Sequence, residues 1–226
     1  MQYSNILKKM IINFIKFIYW FLLKNSNFSQ NDEELILKDI FLNVKKGFYI
    51  DVGCHHPRRF SNTALLYMNG WNGINIDASA KNLKLFNFFR KRDKNICALI
   101  SEKPEKLKYY YFDDSALNGI LSFSKVNSLK DLGYKVISEE YILTQRLDDV
   151  LANFEVPNNK IDLLDIDVEG YDFQVLKSID LNLFDVRVIL IETGDKENEI
   201  ATYLLKYNFS FYKKIDRNSF FLKDSI

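Results

Sequence analysis

Two acids lie where short apolar segments of the chain end. Asp51 interrupts the run Phe48–Val52, which stops at Gly53, and Asp77 closes the run 73–77. In nucleoside-binding α/β proteins, an acid at the end of the second strand accepts hydrogen bonds from ribose hydroxyls at about this spacing from the first turn. Gly53 would let the backbone approach such a ligand without a Cβ in the way. The pattern therefore predicts a nucleoside site contacted by Asp51, Gly53 and Asp77.

The turn after Gly53 favours a ligand without phosphates. A pyrophosphate requires a glycine-rich turn and an open helix N-terminus, whereas this turn has no second glycine and contains Pro57. It is therefore poor for NAD and suits a ligand with a ribose, an adenine and no phosphate. S-adenosylmethionine fits that description, and we expect it as the cofactor. Ser101, which ends the third predicted strand, is predicted as a further cofactor contact.

Two histidines beside this turn could move a proton. His55 and His56 directly follow Gly53-Cys54, and the pKa of a histidine lies near neutrality. We predict His56 as the catalytic base and His55 as a substrate contact. The alternative is that both histidines fill polar turn positions or contact the carboxylate of the cofactor.

Three further acids end a buried apolar segment that starts at Ile161. Asp165, Asp167 and Glu169 alternate in sequence, so as strand residues they would point to one side. Clustered carboxylates raise one another's pKa values. We predict catalytic roles for Asp165 and Asp167 and a substrate contact for Glu169. They could instead cap the next helix, pair with basic residues or bind Mg²⁺, but the other ligands of an ion have no evident place in the sequence, and no metal site is predicted.

Strands that alternate with helices must position these residues. Apolar periodicity predicts core strands near 48–52, 73–77, 95–101, 161–167 and 186–193, and helices at 32–44, 61–68, 82–92, 147–154, 171–178 and 197–207. Arg90, in the third of these helices, is predicted to face solvent. Strands 108–113 and 136–144 flank a polar segment, 115–134, which is predicted as an irregular lid or substrate loop. A closing hairpin, 209–222, completes an α/β, doubly wound, mainly parallel sheet with an antiparallel edge.

Composition bounds the class of protein. The chain has 226 residues, of which 47% are hydrophobic and 27% charged, enough for one packed α/β domain and an extension. With 31 Lys and Arg against 30 Asp and Glu, no nucleic-acid partner is expected. Two distant cysteines, Cys54 and Cys97, do not form a disulfide framework and indicate a reducing, cytoplasmic location.

The first 31 residues are predicted to form an amphipathic helix and a linker outside the main domain. Residues 6–23 have an apolar face and a face with lysines, and the apolar run is too short to span a membrane. One alternative is peripheral contact with the inner face of the membrane. The other is packing on the domain or on a second subunit, which would give a homodimer.

The order of several motifs resembles the FkbM family of S-adenosylmethionine-dependent methyltransferases. The motifs are Phe-Tyr-Ile-Asp-Val-Gly (48–53), Ser-Asn-Thr (61–63), Gly-Trp-Asn-Gly-Ile-Asn-Ile-Asp (70–77) and Ile-Asp-Val-Glu-Gly (166–170). The resemblance implies a class I methyltransferase-like, Rossmann-like domain over residues 32–226. It places Asp51, Gly53 and Asp77 at the cofactor, and Asp165, Asp167 and Glu169 on the acceptor side.

Members of this family are commonly O-methyltransferases of sugars, polyketides and related metabolites. The resemblance therefore implies methylation of a hydroxyl on a sugar or surface glycan precursor. Two alternatives stay open on the sequence. One is a catalytically silent protein that binds a partner through the same fold, and the other is a dinucleotide oxidoreductase, which the missing phosphate glycines disfavour.

Overall fold

The protein is described by a computed structural model that covers residues 28–224. The predicted N-terminal helix, with its membrane or dimer contacts, lies outside the described residues. Within residues 28–224, no helix is long and apolar enough to cross a membrane.

The described residues form nine strands, of which seven make one sheet in the order β3-β2-β1-β6-β7-β9-β8 and two make a separate antiparallel ribbon, β4-β5. The first five strands of the large sheet are parallel, and β9 is antiparallel to both β7 and β8. This confirms the predicted mainly parallel sheet with an antiparallel C-terminal hairpin. The strands are β1 (Phe48–Val52), β2 (Asn72–Asp77), β3 (Lys94–Cys97), β4 (Lys106–Phe112), β5 (Val136–Leu143), β6 (Lys160–Ile166), β7 (Asp185–Glu192), β8 (Phe209–Ile215) and β9 (Asn218–Lys223).

Helices cover both faces of the large sheet. Apolar side chains of α1 and α2 pack with Tyr49, Leu163 and Leu190 on one face, whereas α5, α6 and α7 pack with Ile50, Leu164 and related residues on the other. The sheet is therefore doubly wound, with one core on each side. The α-helices within the described residues are α1 (Glu33–Ile40), α2 (Ala64–Met68), α3 (Ala80–Phe89), α4 (Phe123–Asp131), α5 (Leu147–Leu151), α6 (Asp172–Leu176) and α7 (Glu197–Leu205).

The first two corrections concern element boundaries, and tertiary contacts explain both. The first helix ends at Ile40 rather than at residue 44, because Phe41 turns into the core and packs edge-on against Trp71 at 4.8 Å. The third strand ends at Cys97, because the next residues leave the sheet and bond to the segment before α5, Ser101 N–H donating to the Gln145 carbonyl at 3.0 Å.

The third correction concerns the segment 115–134, which was predicted to be irregular. It contains a 3₁₀ turn, Ser115–Leu117, and the regular helix α4. The Ser122 hydroxyl caps α4 by accepting from the Lys125 N–H at 3.2 Å, and Val126 and Leu129 pack on Phe112. Their spacing of three residues is helical, and it was outweighed in the sequence by the polar residues around it.

Candidate functional site

A cavity of about 90 Å³ lies at the carboxyl ends of β1, β2 and β6. The helix after β1 packs on one face of the sheet and the helix after β6 on the other, so the cavity lies at the point where the winding reverses. Ligands of open α/β sheets bind at such a point. Predicted site residues on its wall are Gly53, His55, Asp77, Asp167 and Glu169.

Gly53 brings the ends of β1 and β6 into contact. Its φ is +88°, and a Cβ there would lie 1.7 Å from the carbonyl oxygen of Asp167. The Gly53 N–H donates to the Ile76 carbonyl at 2.9 Å, and the Asp167 N–H donates to the Val52 carbonyl at 3.0 Å. Only glycine fits this position, because another side chain would enter the backbone of the neighbouring turn.

Asp77 holds the first two turns together. Its Oδ1 accepts from the Ser79 N–H at 2.6 Å, and its Oδ2 accepts from the His55 N–H at 2.9 Å. The Asn82 amide lies 3.3 Å from both oxygens. Burial raises the pKa of Asp77. The sequence assigned this acid to a ligand alone, whereas in the structure it also fixes its own loop.

The two histidines have different positions. His55 lies on the cavity wall with a φ of +48°, and its Nε2 is 3.0 Å from the Ser115 hydroxyl. His56 lies outside the cavity lining, and its Nδ1 accepts from the N–H groups of Arg58 and Arg59 at 3.1 and 2.9 Å. Burial and the neighbouring positive charges lower the pKa of His56 to about 4. Catalysis by His56 stays a prediction, and its Nδ1 already has a structural role.

Asp51 and Asp165 are neighbours across β1 and β6 and lie outside the cavity lining. Asp51 accepts from the Thr63 hydroxyl at 2.5 Å, and Asp165 accepts from the Asn62 amide at 3.1 Å. Burial raises the pKa of Asp51 to about 6 and that of Asp165 well above its usual value. The charge of Asp51 raises the pKa of Asp165 further, because like charges repel strongly in a buried place.

Arg90 is the cation of this buried pair, and its predicted exposure was wrong. Its side chain is 1% exposed and lies 4.0 Å from Asp51. It donates to the Pro57 carbonyl at 2.7 Å, to the Ser61 hydroxyl at 2.7 Å and to the Thr63 hydroxyl at 2.6 Å. Spacing could have indicated its burial, since residue 90 follows the buried residues 83 and 86 on one helical face.

The alternation predicted for Asp165, Asp167 and Glu169 stops at the end of β6. The strand ends at Ile166, and Glu169 has a left-handed φ of +57°. Asp165 therefore joins the buried pair, whereas Asp167 and Glu169 reach the cavity wall. Burial and the nearby Glu192 raise the pKa of Glu169 to about 7.

The family model of the methyltransferase FkbM domain matches residues 51–211, which is more than half of the chain. The chain belongs to the FkbM methyltransferase family. This membership supports a methyltransferase activity, and such enzymes generally use S-adenosylmethionine. No curated protein matches the sequence.

The FkbM domain is also similar to a solved structure titled "crystal structure of a putative RNA methyltransferase" from Pyrococcus horikoshii. The likeness covers 88% of this chain and 89% of that chain, with 11% sequence identity and a TM-score of 0.41. The observed strand order of the FkbM domain, rather than this likeness, establishes its fold.

Residues 115–120 of the FkbM domain form part of the cavity wall. The lining residues of this segment are Ser115, Ala116, Asn118 and Ile120. Asp114, which precedes them, forms an ion pair of 3.5 Å with Arg59.

The predicted cofactor residue Ser101 is buried but does not line the cavity. The three residues before it, Ala98, Leu99 and Ile100, do line it. A role for Ser101 at the cofactor stays a prediction.

Sequence reasoning missed two acids of the FkbM domain that lie beside Asp167. Asp172 is the first residue of α6, and Glu192 is the last residue of β7. One carboxylate oxygen from each of the three acids lies within 4.8 Å of the others. Glu192 was recognisable as an acid at a strand end, but the sequence alone could not show that β7 lies next to β6.

Proposed function

We propose that this FkbM-family protein is an S-adenosylmethionine-dependent O-methyltransferase that methylates a hydroxyl of a sugar or surface glycan precursor. The observation that carries the proposal is the cavity at the ends of β1, β2 and β6. On its wall, a glycine turn and Asp77 lie together with the acids Asp167 and Glu169.

The turn residues fit the cofactor. Gly53 lines the cavity without a side chain, and its missing Cβ also lets this turn lie against the Asp167 carbonyl. Asp77 accepts the ribose hydroxyls, which replace the long 3.3 Å contacts of Asn82 and leave the two shorter amide contacts intact. When bound, S-adenosylmethionine supplies an electrophilic methyl group.

The acids on the wall suit a polyhydroxylated acceptor. His55, Asp167 and Glu169 line the cavity and offer acceptors for hydroxyl hydrogens. The bound cofactor would supply a methyl group that passes from its sulfur to an acceptor hydroxyl oxygen, and one of these carboxylates would take the hydroxyl proton. We assign that proton to Glu169, which lies on the wall and outside the three-acid cluster.

For both ligands to enter, the segment 114–120, which forms part of the cavity wall, has to move outward. Ligand sites have volumes of roughly 300–1,000 Å³, whereas this cavity has about 90 Å³. The His55–Ser115 hydrogen bond and the Arg59–Asp114 ion pair hold the segment 114–120 against the cavity. Both contacts are weak enough to open when a ligand binds.

Calorimetric titration with S-adenosylhomocysteine tests the part of the proposal that concerns cofactor binding. We expect micromolar binding by the full-length protein and at least tenfold weaker binding by Asp77→Asn, because an amide is a poorer acceptor for ribose hydroxyls than a carboxylate. Asp185→Asn, the same change at an exposed position that starts β7, is the matched control and keeps the wild-type affinity.

Mass spectrometry of sugar acceptors incubated with the enzyme and S-adenosylmethionine then tests the transfer. A methylated sugar that is lost in Glu169→Gln supports the proposal. No binding of S-adenosylhomocysteine to a well-folded wild type would overturn it. Binding without transfer to any acceptor would favour the catalytically silent alternative.

A further inference from the structure

Three carboxylates from three different elements converge beside the cavity. Asp167 follows β6, Asp172 begins α6, and Glu192 ends β7. One oxygen from each lies within 4.8 Å of the others, and Asp167 is also on the cavity wall. Like charges this close repel one another, and either a proton or a positively charged ligand relieves the repulsion.

The neighbours of this cluster compensate only part of its charge. Both oxygens of Asp172 accept backbone N–H groups, from Val168 at 2.8 Å and from Gly170 at 2.9 Å. Glu192 Oε1 pairs with Arg217 Nε at 2.8 Å, and the Arg217 side chain is half exposed. The positive charges near the three acids are therefore Arg217, in one half-exposed ion pair, and Lys125, which attracts Glu192 more weakly.

One carboxylate oxygen of Glu192 is buried and has no hydrogen-bond partner among residues 28–224. The Glu192 side chain is 8% exposed, and its Oε2 has no hydrogen-bond partner in the part of the chain that the structure describes. A buried carboxylate oxygen without a donor is costly. Such an atom, in a cluster of acids, points to a ligand that is positively charged.

We propose that Asp167, Asp172 and Glu192 together bind one divalent cation, of the Mg²⁺ class. All three side chains offer oxygen, which hard cations such as Mg²⁺ and Mn²⁺ prefer, and water completes the coordination of such ions. The sequence analysis grouped Asp165, Asp167 and Glu169. The proposed site shares only Asp167 with that group and adds Asp172 and Glu192.

The position of the cation would give it a role in the transfer, and this role rests on the proposed function. Because Asp167 forms part of the cavity wall, a cation bound to it would lie near an acceptor in the cavity. It would orient an acceptor hydroxyl toward the cofactor and lower the pKa of that hydroxyl, so that Glu169 can take the proton more easily. Cation binding itself needs neither cofactor nor acceptor.

Mn²⁺ titration followed by electron paramagnetic resonance tests the site on the full-length protein without cofactor at pH 8. We expect one bound Mn²⁺ per chain, displaced by Mg²⁺. Asp167→Asn and Glu192→Gln should each weaken Mn²⁺ binding at least tenfold, because each removes a charged ligand. Asp185→Asn and Glu199→Gln repeat these changes at exposed acids and should leave binding unchanged.

The competing explanation is that the cluster holds a proton instead of a metal. In that case the folded wild type binds no Mn²⁺ at pH 8, and its thermal stability rises steadily as the pH falls, with or without Mg²⁺. Either that result or equal Mn²⁺ binding by wild type and both cluster variants overturns the proposal. Since S-adenosylhomocysteine binding is measured without metal, the failure of one proposal is distinguishable from the failure of the other.

Discussion

Two groups of buried acids lie a few residues apart at the ends of the central strands, and they differ in their partners. The pair Asp51–Asp165 is enclosed by Arg90, Thr63 and Asn62, which supply a charge and hydrogen-bond donors. The cluster Asp167–Asp172–Glu192 has backbone donors at one acid, a half-exposed arginine at another and one oxygen with no partner among the described residues.

This difference separates a structural network from a candidate ligand site. Buried charges are stable only when they are paired and hydrogen-bonded. The pair is enclosed by its partners, whereas the cluster borders the cavity and keeps one buried oxygen without a hydrogen-bond partner among the described residues. Asp165 and Asp167, one from each group, are two residues apart in the sequence, so residue type and spacing do not distinguish them.

We expect the largest difference in the free energy of unfolding between variants of the two arginines, Arg90 and Arg217. Arg90→Ala removes the cation of the pair and leaves Asp51 and Asp165 buried, so we expect a loss of about 3–5 kcal/mol in the free energy of unfolding. Arg217→Ala makes the same change beside the cluster and should cost at most about 1 kcal/mol, because Arg217 is half exposed. Urea unfolding measures both.

Lys84→Ala, at an exposed position of α3 a few residues before Arg90, is the control for truncation of a long basic side chain. Equal losses for the two arginine variants would show that the two acidic groups do not differ as their contacts indicate.

A smaller effect is expected at Gly53, which lies between the two groups. In Gly53→Ala the new Cβ meets the Asp167 carbonyl and displaces Asp167 from its cluster, while the backbone stays left-handed. We expect a loss of about 2–4 kcal/mol in the free energy of unfolding, from overpacking and conformational strain together. Thermal and urea unfolding measure this loss.

Gly133→Ala is the matched control, because Gly133 has a φ of +96° and a Cβ added there would meet no atom within 4 Å. It reports the strain alone and should cost about 1 kcal/mol. A Gly53 variant as stable as the Gly133 variant would contradict the close approach of the two turns.

The smallest expected effect is the pH dependence due to Asp51. Its folded pKa of about 6 lies above its usual 3.8, so the folded state binds more protons between these values and stability falls as the pH rises from about 4 to about 6. The asparagine of Asp51→Asn cannot ionise. The free energy of unfolding of this variant should therefore fall less steeply with pH than that of the wild type, by at most about 1.4 kcal/mol per pH unit. The charged groups that act on Asp51 are Arg90, Asp93 and Asp77, together with its neighbour Asp165.

Urea unfolding at several pH values measures this slope, with Asp185→Asn as the control that should keep the wild-type profile. The contribution of His56 has the opposite sign. Its folded pKa of about 4 is below its usual 6.5, so stability falls as the pH drops through that range. An Asp51→Asn profile identical to that of the wild type would show that Asp51 is not buried as a charged group.

The alternation of apolar segments predicted the sheet well, because strands and helices differ in the period with which they bury side chains. It predicted five parallel strands and the closing hairpin, and it placed Gly53 and Asp77 at the ends of the first two. The prediction was wrong where contacts with residues distant in the sequence determine the local structure. Arg90 is buried through partners from distant parts of the chain, and β3 ends early because Ser101 bonds to Gln145.

The sequence by itself determined the family, the order of the strands along the chain and the acids at their ends, since these depend on local pattern. Only the tertiary structure decided which acids share a site. Strand order in space places Asp165 beside Asp51 and Glu192 beside Asp167, and the burial of Arg90 satisfies one group while the other keeps an oxygen without a partner among the described residues. Charge compensation depends on distances between residues that are far apart in sequence, and only the folded chain sets those distances.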